Sequence, residues 1–296
     1  MLRSWFSLGR ANEYIFPTVN PEADGPDCLK DCADCTVQYP SKVKVETSRQ
    51  LYGQIKSFHS HVLVATGQSD WKEKVEQEKG SLMEAFDQTK SEHGRIMVSA
   101  SNLNAPDHDA AERPDKAASI LILPSFTFVD GITQADVPEV MSRFIDHPIT
   151  QNQVDEKDTD ASTVSPVAGI SSRHCNLDYV VLLCSHRRRD ARCGITAPLI
   201  KRELERHLRP LGLDRDADDS RPGGVGIFFV SHVGGHKFSA NVLVYRKKDQ
   251  QMIWLARVRP EHCEGIVKYT LLQGKVVHPD SQLRGGFDRA RGLTSW

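Results

Sequence analysis

Between residues 177 and 272 apolar runs and amphipathic stretches alternate in an order that few architectures accommodate. LDYVVLLC at 177–184 reads as a strand ending on a cysteine. Residues 196–208 place Leu199, Ile200, Leu204 and Leu208 along one helical stripe, with Pro198 in the expected first turn. GVGIFFVSH at 224–232, ANVLVYR at 240–246 and MIWLARV at 252–258 read as further strands, the last two joined by a hairpin turn over 247–250. A helix is expected over 260–272. The order is β-α-β-β-β-α: the first helix serves as a crossover between parallel strands, and the later strands pair as an antiparallel hairpin. A thioredoxin-like mixed sheet is the simplest α/β fold with that order.

The preceding chain has a similar rhythm. HVLVAT at 61–66, RIMVSA at 95–100 and SILILP at 119–124 read as strands. A helix is expected over 70–90, capped by Ser69 or Asp70 and broken near Gly80, and another over 136–147. This β-α-β-β-α order suggests a related, degenerate thioredoxin-like unit. Five segments result: an irregular cysteine-containing stretch (1–41), an N-terminal α/β unit (42–148), a polar linker containing DEKDTDAST (149–176), the thioredoxin-like domain (177–278) and a basic tail (279–296). Phe287 and Trp296 offer that tail apolar anchors for folding back.

The second unit also concentrates metal-binding chemistry. Cys184 closes a strand, and eight residues separate it from Cys193; His232 closes another strand, and His236 follows after Val-Gly-Gly. Strand ends in open α/β sheets share an edge, where such folds place their sites. The paired glycines let backbone pass close to a bulky group. Thiolate and neutral imidazole together suit iron and zinc. Two thiolates and two imidazoles neutralise a diferric [2Fe–2S] core, which favours a higher potential than four thiolates would. The leading expectation is therefore a [2Fe–2S] cluster on Cys184, Cys193, His232 and His236. Structural zinc, a redox disulfide and isolated structural residues remain open, and His186 is a rival ligand. Arg187, Arg188, Arg189 and Arg192 add positive charge that raises the potential or steers an acidic redox partner onto the loop.

Composition narrows the function classes. The 296 residues include 38 Lys and Arg against 39 Asp and Glu, so no whole-surface field favours nucleic acid. No apolar run approaches the roughly 20 residues that span a bilayer. Seven cysteines, an odd number unevenly spaced, fit ligands or reactive thiols better than a disulfide framework. MLRSWFSLGRAN at the start carries Arg3 and Arg10 without an acid, a pattern shared by mitochondrial presequences and by ordinary frayed termini.

Cys28, Cys32 and Cys35 stand together in CLKDCADC. Cys32 and Cys35 are spaced as a redox thiol pair. A metal clip borrowing a further ligand, or unpaired tail cysteines, would use the same residues. The C-x3-C-x2-C spacing of radical enzymes that use S-adenosylmethionine is present without their repeated βα units. Cys175 falls in the linker, Cys263 reads as packed, and His59 and His61 read as ordinary surface or core residues.

CSHRRRDARCG with the following APL, PGGVGIFFVSHVGGHKFSANVLVY and HVLVATGQSDW together resemble the sucrase/ferredoxin-like family, over most of residues 28–296. The resemblance implies a thioredoxin-like ferredoxin domain with a [2Fe–2S] cluster on Cys184, Cys193, His232 and His236. It also implies residence in the mitochondrial matrix or intermembrane space, and electron transfer in redox or thiol homeostasis rather than catalysis on a small substrate. No paired acids stand in a sugar-cleaving frame. Two rival functions use other features: a thiol–disulfide oxidoreductase working through the N-terminal cysteines, and a zinc-stabilised interaction module. Whether the chain is an enzyme is left open at this level.

Overall fold

Strand β6 (Tyr179–Cys184) shows how residue alternation builds the layers. Val181 and Leu183 face helix α4 (Ala191–Leu208) and pack with its Ile200, Leu204 and Leu208. Val180, Leu182 and Cys184 face the other way, as the two-residue period of a strand requires. The computed structural model describes residues 14–104, 117–146, 169–216 and 219–296. Among these, twelve strands form one open, mostly antiparallel mixed sheet flanked by helices.

In the second half, β8 (Val225–Val230) lies parallel to β6 after the α4 crossover. β9 (Val242–Arg246) pairs antiparallel on the other side of β6, and β10 (Gln251–Leu255) pairs antiparallel with β9. Short β7 (Asp214–Arg215) adds to β8. The first half repeats this arrangement. β2 (Ile96–Ser101) is parallel to β1 (Ser60–Ala65), β3 (Ala118–Leu123) is antiparallel on the far side of β1, and β4 (Thr127–Ile132) follows β3. The halves meet where Ser101 of β2 pairs antiparallel with Val230 of β8.

β4 was not expected, because FTFVDGI mixes aromatic, acidic and glycine residues. Within the stretch expected as a linker, 149–168 lie outside the described residues, and β5 (Ser171–His174) extends the sheet beside β4. The tail does fold back: β11 (Leu283–Asp288) and β12 (Leu293–Ser295) add two strands beyond β10, after the short helix α6 (Pro279–Gln282). Trp296 reaches Phe58, with ring centroids 5.1 Å apart.

All four expected helices differ from expectation. α4 starts five residues before the expected 196, because Asp190 accepts the Arg192 N–H and caps it. Pro198 is consequently inside the helix, where it supplies no N–H to the preceding turn. The 70–90 stretch contains a single turn (Val75–Gln77) and α2 (Leu82–Gln88), capped by Ser81. Ser69 and Asp70 cap nothing there: their loop docks on the other half, where Ser69 accepts the Ser185 hydroxyl at 2.7 Å and Asp70 accepts the Arg188 N–H at 3.1 Å. The helices expected over 136–147 and 260–272 are mixed in winding. α3 (Val137–Val140) continues as a wider-turned segment (Met141–Asp146), and α5 (Cys263–Gly265) lies between a tight turn (Pro260–His262) and a wide one (Ile266–Leu271).

Each half carries its helices on one face and shares the other. Val62, Val64, Phe86 and Val140 fill the first helix-facing core. Between the halves, Leu63, Leu121 and Phe126 meet Leu182, Leu243, Tyr245 and Trp254. The segment before β1 is mostly irregular, with one helical turn, α1 (Pro21–Asp24). It is strapped to the second half: Val19 donates to the Val276 carbonyl, and the Tyr39 hydroxyl to that of Val258.

Candidate metal centre

Cys184 ends β6 and Cys193 sits in the first turn of α4, so the intervening loop returns one sulfur to the other. Both residues are buried, at 2% and 1% exposure. A hydrogen bond between the two side chains, reinforced by burial, holds the Cys184 thiol well above its ordinary value. The same bond draws Cys193 below its own. Backbone N–H groups of Val233 and His186 face the Cys184 sulfur, and the Ser239 hydroxyl lies 3.3 Å from Cys193 Sγ.

The histidines arrive from the end of β8. His232 and His236 stack with ring centroids 5.0 Å apart and planes tilted by 39°. The Nδ1 atom of each ring is buried and has no hydrogen-bond partner. Burial, then the neighbouring His236 and Arg189, push the His232 pKa down to about 4, which keeps its ring neutral. Gly234 and Gly235 have φ of +95° and +74°. A Cβ on Gly235 would stand 2.6 Å from Arg284 Nη1, so the loop closes only over glycine.

Arg284 was not singled out by sequence. It projects from β11, donates to the Gly234 carbonyl at 3.1 Å and to Asn241 Oδ1 at 3.0 Å, and lies 4.5 Å over the Trp254 ring. Burial lowers its pKa to about 10, which leaves it charged at neutral pH. Its only sequence signal was an arginine before two glycines in a segment read as a tail.

His186, the rival ligand, has no free nitrogen. Its Nε2–H faces the carbonyls of Trp71 at 3.1 Å and Lys72 at 2.9 Å, and its Nδ1 accepts the His232 backbone N–H at 3.3 Å. Both lone-pair positions needed for ligation are thereby spent. The adjoining arginines are partly matched, Arg188 and Arg189 exposed and Arg192 half-buried: Arg188 lies 3.7 Å from Asp70, Arg189 4.0 Å from Glu73, and Arg192 2.7 Å from Asp190.

The remaining cysteines separate. Cys28 is buried against Val19, Tyr269 and Val277, away from the other two of its motif. Cys32, Cys35 and Glu203 bring their donor atoms within 4.8 Å of one another, as do Cys32, His207 and Glu264. Among the described residues those are the groups close enough for a single ion; Cys184, Cys193, His232 and His236 are not such a group. A two-iron core holds its terminal ligands further apart than one ion does. Cys175 and Cys263 are buried, and burial raises both thiols. His61 is a core residue, bonded to Tyr245 and Ser99.

Comparison with known proteins bears on this centre. The model of the family described as Sucrase/ferredoxin-like matches residues 51–285. The chain belongs to the sucrase/ferredoxin-like family. Actin patches distal protein 1 of Saccharomyces cerevisiae is 30% identical over 243 residues, covering 78% of this chain and 75% of that protein. Altered inheritance of mitochondria protein 32 of Clavispora lusitaniae is 29% identical over 259 residues, covering 83% and 88%. The protein of that name from Debaryomyces hansenii is 37% identical over 99 residues, a third of each chain. No solved structure matches. The sucrase/ferredoxin-like span contains Cys184, Cys193, His232 and His236, whereas Cys28, Cys32 and Cys35 lie outside it.

Proposed function

We propose that this protein is a [2Fe–2S] electron carrier or redox sensor whose cluster is held by Cys184, Cys193 and the Nδ1 atoms of His232 and His236. The observation that carries the reading is the pair of buried, unpartnered imidazole nitrogens on the loop after β8, with two buried, mutually interacting cysteines at the end of β6 and the start of α4. Buried polar atoms are nearly always partnered, so two orphans on one short loop point to an absent partner. Four donors of total charge −2 match a diferric core of charge +2. When bound, the cluster supplies reversible one-electron transfer.

The chain's own residues set the conditions around it. Val233 and His186 direct N–H groups at a ligand sulfur, and Arg284 adds a buried positive charge beneath the histidine loop. Both favour the reduced state and raise the potential. His236 is the exposed edge, with 39% of its side chain accessible, and the exposed Arg187 and Arg188 are on the same ligand loop. An acidic redox partner docking near Arg187–Arg192 would meet the centre there.

The strand order β8-β6-β9-β10, with β6 and β8 parallel across α4, supports a thioredoxin-like reading of the second half. The same order in β2-β1-β3-β4 supports a related first half without ligands. The names of several relatives refer to mitochondria, which supports mitochondrial residence, in the matrix or intermembrane space; a part in redox or thiol homeostasis is proposed from the ferredoxin-like family. The expected presequence lies outside the described residues.

Anaerobic purification with metal and sulfide analysis tests the reading. About two irons and two sulfides per chain, with a visible band that bleaches on reduction, are expected. A colourless protein with about one zinc per chain would replace it with a structural zinc site.

A further inference from the structure

At the other end of α4 from Cys193, a second group of reactive side chains gathers on the N-terminal strap. Cys32 and Cys35 flank a turn at Ala33 and Asp34. Both are half-buried, and the Cys35 thiol donates to the Cys32 carbonyl at 3.5 Å. Each side of the turn is tethered to the second half: Cys32 N–H donates to the Glu261 carbonyl at 2.9 Å, and Thr36 donates to Glu203 through its hydroxyl at 2.9 Å. Glu203 is fully buried.

One guanidinium nitrogen sits in the middle. Arg206 Nη2 lies 2.6 Å from Glu203 Oε1, 3.4 Å from Cys32 Sγ and 3.0 Å from His207 Nε2. An acid, a sulfur and an imidazole lone pair thus already share a cation, and a metal ion would have to evict it. The two sulfurs differ in surroundings. Cys32 has a charge-bearing donor against its sulfur, whereas burial, then the contact with Cys32, pushes the Cys35 pKa up to about 12. A turn that holds its two ends this close also brings two cysteines within disulfide reach.

We propose that Cys32 and Cys35 form a redox-active dithiol in which Cys32 attacks and Cys35 resolves, with Arg206 as the positioning residue for the attacking sulfur. The oxidant is a small or protein disulfide. Cys32 gives its proton to solvent, its thiolate bonds to one sulfur of the disulfide, the disulfide's S–S bond breaks, and the first thiolate leaves. Cys35 then loses its proton to that thiolate and attacks the Cys32 sulfur. The Cys32–Cys35 bond forms and a second thiolate departs, taking a proton from solvent. Two electrons pass from the chain to the incoming disulfide, which becomes two thiols.

The test equilibrates the full-length protein with reduced and oxidised glutathione, alkylates the free thiols, and maps the peptides by mass. Cys32 and Cys35 are expected to lose their labels together and yield a peptide two hydrogens lighter. Cys35→Ser should accumulate a glutathione adduct on Cys32, whereas Cys32→Ser should leave Cys35 unadducted. Arg206→Gln should slow alkylation of Cys32 on the order of 3–10-fold at neutral pH. Equal adduct formation at both sulfurs, labels lost independently, or zinc released by Cys32→Ser would each overturn the proposal. None of these readouts uses the absorbance of a cluster, so this result and that for the metal centre stand or fall separately.

Discussion

His186 accepts the backbone N–H of His232 on Nδ1, at 3.3 Å, while its Nε2–H is held by main-chain carbonyls of the first half, at Trp71 and Lys72. The ring is buried and packs edge-on against Trp71, with centroids 5.8 Å apart. It connects the loop after β1 to the loop that carries the candidate histidine ligands. The first half, which contributes none of the proposed ligands, therefore shapes the centre through its backbone.

Replacing His186 should separate bracing from ligation. His186→Ala is expected to retain its full iron content on reconstitution but to lose the visible band faster on standing, with a stability cost of about 1–3 kcal/mol from the unpaired backbone groups. His232→Ala and His236→Ala should instead alter the spectrum at once. Iron content and the decay of absorbance measure the difference. If His186→Ala alone abolished iron binding, the ligand assignment would be wrong.

Arg284 is the second support. Arg284→Met preserves bulk over Trp254 but leaves the Gly234 carbonyl without the arginine donor and Asn241 Oδ1 with the Trp254 N–H alone. A loss of about 1–3 kcal/mol is expected, read as a lower denaturant midpoint. The midpoint reduction potential should also fall, since a buried positive charge near the centre is removed. An unchanged potential would show that this charge does not reach the cluster.

Stability should decline with acid below about pH 6.5. His61 is fully buried between Tyr245 and Ser99, and burial pushes its pKa down to about 3. Unfolding restores an ordinary imidazole, so below its unfolded value the unfolded chain binds the extra proton and gains. The contribution is fully present above about pH 6.5 and is lost as pH falls toward 3, at roughly 1.4 kcal/mol per pH unit. His59, His207, His232 and His262 are lowered in the same direction, with burial the first cause of each. Denaturant titrations at pH 7.5 and 5.5 should therefore differ, and His61→Gln should reduce that difference without abolishing it.

The halves should not separate cleanly. A fragment of residues 169–296 would expose Leu182, Leu243, Tyr245 and Trp254, all buried at the shared face. Each such side chain loses about 1.5–3 kcal/mol when left in water. Self-association or insolubility is expected on size-exclusion chromatography. A monodisperse, iron-loaded monomer would show that the second half is independent of the first.

How much of this could be read beforehand varied with the range of the interaction involved. β1, β2, β3, β6, β8, β9 and β10 were legible because each is a run of β-branched and apolar residues whose alternation is local. The start of α4 was not: its Asp190 cap is a local bond to Arg192, but the arginine-rich stretch around it carries no apolar period to mark a first turn. β4 and β11 were missed because their sequences include glycine and charge, tolerated only where neighbouring strands supply the pairing. Among the histidines, spacing singled out His232 and His236, but could not dismiss His186, whose partners lie 114 and 115 residues away.

The sequence alone determined the seven apolar strands, the cysteine and histidine spacing, and the membership of the family, because these depend on residues a few positions apart or on similarity along the chain. Only tertiary structure decided which imidazole nitrogens stay free, which arginine supports their loop, and that Cys32 meets Arg206 with Cys35 beside it while Cys28 packs against Val19, Tyr269 and Val277. Hydrogen-bond partners are assigned by the approach of distant segments, and a buried polar group is bound to whatever the fold brings near it.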